Sequence, residues 1–112
     1  MTRILWIDPG TTDVGFAVVE TIKNTRHIIT FGVIHTTPNV AQSLKLLEIA
    51  TDLEDIIKTH KITHAAVEKL YFSTNLKTGI DVAQSRGVIL LSLERAWIKL
   101  YEYTPLQVKK AL

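Results

Sequence analysis

Residues 3 to 8, RILWID, set the tightest limit on how this chain can fold. Read as a strand, Ile4, Trp6 and Asp8 point to one face and Leu5 and Ile7 to the other. Both faces are apolar, which suggests a buried central strand. The run ends on a carboxylate, and the turn-forming stretch PGTTD, residues 9 to 13, follows it. Val14 to Ile22 reads as a second strand. After the polar turn Lys23-Asn24-Thr25, Arg26 to His35 is a third β-rich run. The first third of the chain is therefore expected to form a three-stranded antiparallel meander.

From Val40 to His60 the period changes. Leu46, Ile49, Ala50, Leu53, Ile56 and Ile57 make one helical stripe, opposed by Lys45, Glu48, Asp52, Glu54, Asp55 and Lys58. A short strand is expected over His64 to Glu68, then a loop, KLYFSTN, over residues 69 to 75. A second helix is expected from about Leu76 to Trp97, with two apolar sides. Ile80, Ala83, Gly87, Leu90 and Leu91 lie on one side, and Val82, Ile89, Leu93 and Ala96 on the other. In a small domain such a helix often sits between its own sheet and another subunit. Ile98 to Tyr103 reads as a fifth strand. Thr104-Pro105-Leu106-Gln107 has the form of a helix start, with Thr as N-cap, Pro at the first helical position and Gln three residues after the cap. The sequence stops at Leu112, so that helix is expected to be cut short.

The order βββ-α-β-α-β and then helix points to an α/β fold, a five-stranded mixed sheet with an antiparallel meander at one side and helices packed on it. A chain of 112 residues is one domain at most, and 46% hydrophobic residues is ample for a core. Disorder and a bilayer-spanning helix are both excluded by that pattern. The N-terminus lacks the form of a signal peptide. There is no cysteine, hence neither a disulfide framework nor a thiolate metal site, and the cytosol is the compartment that fits. Thirteen basic against eleven acidic residues give +2, and a pI of about 9.0 allows a nucleic-acid partner without demanding one.

Two carboxylates stand at strand ends, Asp8 and Glu68. On adjacent strands they would come within a few ångströms of each other, which is costly unless a cation or a proton intervenes. Hard divalent ions suit such a site, and two of them can clamp the attacking and leaving oxygens of a phosphodiester. The plainer alternative is that Asp-Pro-Gly is ordinary turn chemistry and Glu68 a solvated strand end. Tyr71 and Phe72, in the loop after Glu68, could stack on bases or wedge between them, or simply pack beneath the loop. Thr11 and Thr12 offer hydroxyls and turn amides to a phosphate. Lys77, Arg86, Lys109 and Lys110 are candidate phosphate contacts, although most lysines are only solvated. His27, His35, His60 and His64 lack ligand spacing and are read as structural.

Taken together, these residues resemble the RuvC family of Holliday junction resolvases, in the ribonuclease H-like superfamily. The resemblance spans the whole chain. "RILWIDPGTTDVGFAVVE" resembles the family's first strand and turn, and "AAVEKLYFSTN" its second carboxylate and aromatic loop. "AQSRGVILLSLERA" resembles the long helix that follows, and "YEYTPLQVKKAL" the approach to the third catalytic region.

The resemblance implies Mg²⁺-dependent phosphodiester hydrolysis that nicks four-way DNA junctions symmetrically, with two ions per complete site and Mn²⁺ as a possible substitute. Asp8 and Glu68 match two of four acidic metal ligands. Tyr71 matches the aromatic implicated in opening the junction, and Lys109 a basic residue near the scissile phosphate. Thr11, Thr12, Phe72, Asn75, Lys77, Arg86 and Lys110 complete the implied DNA-contacting set. A homodimer through helix 76–97 is implied, with Ala83 and Gly87 allowing close approach, and so are the branch-migration partners RuvA and RuvB.

Three departures stand out. Trp6 occupies a position where the family usually has Gly. Ser73-Thr74 replace a loop segment that often carries Arg. No acidic residue follows Glu102, so the third and fourth carboxylates have no counterpart. Residues 1–112 are thus expected to form one ribonuclease H-like nuclease domain without the family's C-terminal region, inactive or nearly so. Two alternatives remain: a non-catalytic remnant that binds junction DNA, and an actin-like phosphate-binding ATPase relative, whose first hairpin also carries a D-x-G turn.

Overall fold

The structure, a computed structural model, describes residues 2–10, 12–69 and 76–103, with side chains from 78 onward in the last stretch. Five strands and two helices follow in the order β1 (Thr2–Pro9), β2 (Asp13–Ile22), β3 (Thr25–His35), α1 (Gln42–His60), β4 (His64–Glu68), α2 (Leu76–Arg95) and β5 (Lys99–Tyr103). They form one sheet in the order β3-β2-β1-β4-β5, so the strand that is apolar on both faces is the central one. β1 pairs antiparallel with β2 and parallel with β4. β2 and β3 are antiparallel, β4 and β5 parallel. The expected meander and mixed sheet are both present. The expected terminal helix from Thr104 lies outside the described residues.

Residues paired across neighbouring strands share a face of the sheet. Leu5 stands beside Val18 and Ala65, and Ile7 beside Phe16 and Val67. These face both helices and close a core with Ile49, Leu53 and Ile57 of α1 and Ile89 and Leu93 of α2. The predicted stripe of α1 is thus its buried side. In α2 the division between sides shifts: Leu90, grouped with Ile80, Ala83, Gly87 and Leu91, packs partly against the core, and Ala96 lies exposed beyond the helix end. Ile80, Ala83, Gly87 and Leu91 remain on the exposed side. Arg3 joins three elements on the helix-covered face. It pairs with the buried Glu20 at 3.0 Å and donates to the carbonyl of His60 in the last turn of α1 at 3.0 Å.

Both helices end in the same way, and each ending feeds a parallel strand. Lys61 (φ 51°) and Trp97 (φ 60°) adopt the left-handed conformation. Lys61 N–H donates to Lys58 O and Ile62 N–H to Ile57 O. Trp97 N–H donates to Glu94 O and Ile98 N–H to Leu93 O. This is the Schellman pattern, in which the residue after the left-handed one is usually apolar and packs back on the helix. Ile62 and Ile98 do so, each buried in the core. Thr63 N–H then donates to Arg3 O and Lys99 N–H to Thr63 O, starting the two parallel ladders side by side. The cap explains why α2 stops at Arg95 rather than Trp97.

Trp97 carries the cost of this geometry without the shelter of a core, since it is 94% exposed. A side chain in the left-handed region is strained where glycine is not. Trp97→Gly should therefore raise stability by about 1 kcal/mol, seen as a higher urea midpoint with an unchanged slope. A lower midpoint would show that Trp97 makes a stabilising contact.

Candidate active site

The register of the parallel pair β1–β4 builds the site. Ile7 stands opposite Val67, so Asp8 and Glu68, one residue on, lie side by side where the strands end. By the same alternation both point to the face opposite the helices, with Trp6 and Ala66 behind them. On the other flank of β1, Gly15 is opposite Asp8, and a Cβ placed there would lie 3.8 Å from the Asp8 Cβ. A glycine at this point leaves open the space beside the carboxylate. The turn that follows is tight: a Cβ on Gly10 would come 2.3 Å from the Asp13 carbonyl oxygen, so only glycine lets the hairpin close so soon after Asp8.

The two carboxyl groups share a hydrogen bond, and the Glu68 carboxyl is pushed up to about 7. Burial is the largest cause, followed by the hydrogen bond to Asp8 and by the Asp8 charge. Near neutral pH the pair therefore holds a proton in a large share of molecules. Tyr103, opposite Glu68 on β5, completes this corner. Its hydroxyl donates to the Ile7 carbonyl at 3.3 Å, and its ring lies 5.2 Å from that of Trp6 at a tilt of 57°. Burial, then the charges of Glu68 and Asp8, push the phenol up to about 12. Tyr103 is thus a neutral hydrogen-bonding wall of the site, and Trp6 packs on that wall rather than over the carboxylates alone. Sequence reading missed Tyr103; the alternation Lys99-Tyr101-Tyr103, paired in register with His64-Ala66-Glu68, was the signal for it.

Of the other candidates, Thr12 is exposed in the turn after Asp8, and its carbonyl accepts from both the N–H and the hydroxyl of Thr36. Arg86 lies on the helix-covered side, engaged with Glu102 and the Glu68 carbonyl. Thr11, Tyr71, Phe72, Asn75, Lys109, Lys110 and the side chain of Lys77 lie outside the described residues. Among the histidines, His35 Nδ1 is 3.0 Å from Asp13 Oδ1, and His64 stacks on Tyr101. Among the described residues no three His, Asp or Glu side chains cluster as a ready ligand set, so Asp8 and Glu68 stand as a pair. No helix among those residues is long and apolar enough to cross a membrane.

The geometry is that of a known family. The family model for the crossover junction endodeoxyribonuclease RuvC matches residues 4–112. The RuvC of Petrotoga mobilis is 46% identical over 109 residues, and that of Heliobacterium modesticaldum 44%; each match covers 97% of this chain and 67% of the relative. The chain thus spans about two thirds of the length of these relatives. A structure of T. thermophilus RuvC in complex with Holliday junction substrate superposes with a TM-score of 0.88 at 25% identity, over 100% of this chain and 70% of that one. The match favours the resolvase reading over the actin-like one, and with it a metal-dependent nuclease. The chain belongs to the RuvC family of crossover junction endodeoxyribonucleases, and the five-stranded mixed sheet that sets Asp8 beside Glu68 is the family's ribonuclease H-like fold.

Proposed function

We propose that residues 1–112 are one nuclease domain that recognises four-way DNA junctions, with Asp8 and Glu68 as two of the acidic groups that hold Mg²⁺, or Mn²⁺ in its place. The observation that carries this reading is the carboxyl pair itself. Two acids side by side next to a glycine, one of them with its proton affinity raised by burial and then by the other, are a poor arrangement for stability and a good one for a hard divalent cation. Bound there, such ions supply an activated water and charge stabilisation on the phosphoryl oxygens. The chain's own part is to hold the two carboxylates at fixed separation, to keep Tyr103 neutral beside them, and to leave the Gly15 side open to the phosphodiester. Thr11, Thr12, Tyr71, Phe72, Asn75, Lys77, Lys109 and Lys110 are proposed as DNA contacts, in a cytoplasmic protein that acts with RuvA and RuvB.

Two carboxylates are half of the implied ligand set, and no acidic residue after Glu102 adds to them. The 112 residues alone are therefore expected to bind four-way DNA in preference to linear duplex and to cleave it weakly or not at all with Mg²⁺. Brisk cleavage that Asp8→Asn abolishes would show that two ligands suffice. Tight ATP binding without junction binding would point to the actin-like alternative instead.

The exposed stripe Ile80, Ala83, Gly87 and Leu91 is proposed as the homodimer contact. A Cβ on Gly87 meets nothing within 4 Å inside the chain, so substitution there spares the fold. Gly87→Arg should leave the thermal midpoint within about 2 °C while reducing the solution mass from dimer to monomer. A wild-type chain that is monomeric at every concentration would remove this contact.

The carboxyl pair also fixes the sign of a pH effect. Glu68 binds its proton more tightly folded than unfolded, so its contribution to stability is complete below about pH 4.5 and is lost as pH rises through about 7. Glu68→Gln, which cannot ionise, should be more stable than wild type at pH 8 by about 1 kcal/mol, allowing for solvent screening of a partly exposed pair. The difference should vanish near pH 4, and Mg²⁺ at pH 8 should narrow it. Denaturant titrations across that range check all three.

A further inference from the structure

We infer that Arg86 is a positioning residue that fixes Glu68 from behind the sheet, rather than a contact to DNA phosphate. This deepens the metal-site reading and rests on it. Glu68 is the last residue of β4, and its carbonyl points where the chain leaves the sheet. Arg86 reaches that carbonyl from α2, its Nε donating at 3.4 Å. The same guanidinium donates through Nη2 to Glu102 Oε1 at 2.5 Å. Glu102 precedes Tyr103, which pairs with Glu68 across the β4–β5 ladder and accepts from Lys69 N–H through its carbonyl at 2.6 Å. One planar fork therefore clamps the backbone of the proposed ligand to the strand that carries the tyrosine wall.

Alternation puts the clamp and the chemistry on opposite faces. Glu102 and the Arg86 guanidinium lie on the helix-covered side, Glu68 and Tyr103 side chains on the other. The Arg86 side chain is only 17% exposed, and its charge is already met by Glu102, so little of it is left for a phosphate. A lysine could not replace it, because a single ammonium lacks the fixed fork that spans both acceptors. Groups that orient a metal ligand from outside the coordination sphere typically change metal affinity when removed.

The test is Mn²⁺ titration of the 112-residue chain, read by paramagnetic broadening of the backbone amides around Asp8 and Glu68, beside four-way junction binding over a range of salt. Arg86→Ala should weaken Mn²⁺ roughly tenfold while leaving junction affinity and its salt slope as in wild type. Arg86→Lys should fall between the two. Glu102→Ala should reproduce part of the loss, and the double variant should be no worse than Arg86→Ala, since both act through one bridge. If Arg86→Ala keeps Mn²⁺ affinity and lowers the salt slope by about one, Arg86 is a phosphate contact and the inference is overturned. Unchanged behaviour in both assays overturns it too, as does strict additivity of the two losses. If Arg86→Ala is unfolded, Arg86→Lys and Glu102→Ala decide by the same criteria. A wild-type chain with no localised Mn²⁺ effect, but with junction binding intact, refutes the carboxylate-site reading itself and this inference with it.

Discussion

Everything at the site depends on the register of one parallel strand pair. Because Ile7 stands opposite Val67, the next residues along each strand are both acids and both emerge on the same face. A slip of one residue would turn Glu68 toward the helix-covered face. The apolar partners that fix the register, Leu5 with Ala65 and Ile7 with Val67, are fully buried and tolerate no such slip. The geometry of the carboxylates is thus set by side chains that face away from them.

That arrangement carries a cost. Burial of Glu68, and after it the neighbouring Asp8, raise the proton affinity of Glu68, so the fold holds this carboxylate where its charged form is disfavoured. The strain is tolerable because it falls at the ends of strands whose other face is anchored by two helices. The tight turn at Gly10 and the Schellman caps at Lys61 and Trp97 serve the same end. The first delivers β2 alongside Asp8, and the caps launch β4 and β5 in parallel. A divalent ion or a proton between the acids relieves the conflict, so ligand binding and stability are coupled through a single pair of groups.

Much of this was legible in the sequence. Strands of period two and a helix of period 3.6 produce distinct patterns, and RILWID, apolar on both faces, is the central strand it promised to be. The stripe on α1 is the buried one for the same reason. The end of α2 was less legible: a left-handed cap at Trp97 in place of the usual glycine gives no compositional signal, so Ala96 was counted in a helix that stops at Arg95. Asp8 and Glu68 were readable as strand ends, but their adjacency required knowing that β4 pairs with β1. The place of Tyr103 beside Glu68 and the acceptors of Arg86 become readable only with the β4–β5 register, a contact between segments separated by a whole helix.

The two faces of the sheet divide the labour of the fold. The covered face carries the core, the Arg3–Glu20 pair and the Arg86–Glu102 clamp; among the described residues, the opposite face carries the carboxylates, Trp6, Tyr101 and Tyr103, with Phe31 78% exposed beside them. Substitutions on the covered face should act first on stability and only through Glu68 on ligand affinity. Those on the opposite face should act first on ligand affinity, and where they remove charge from the acid pair they should add stability. The sign of the stability change therefore tells which layer a residue serves. A lost salt bridge behind the sheet and a lost carboxylate before it, both costly to metal binding, move the unfolding midpoint in opposite directions.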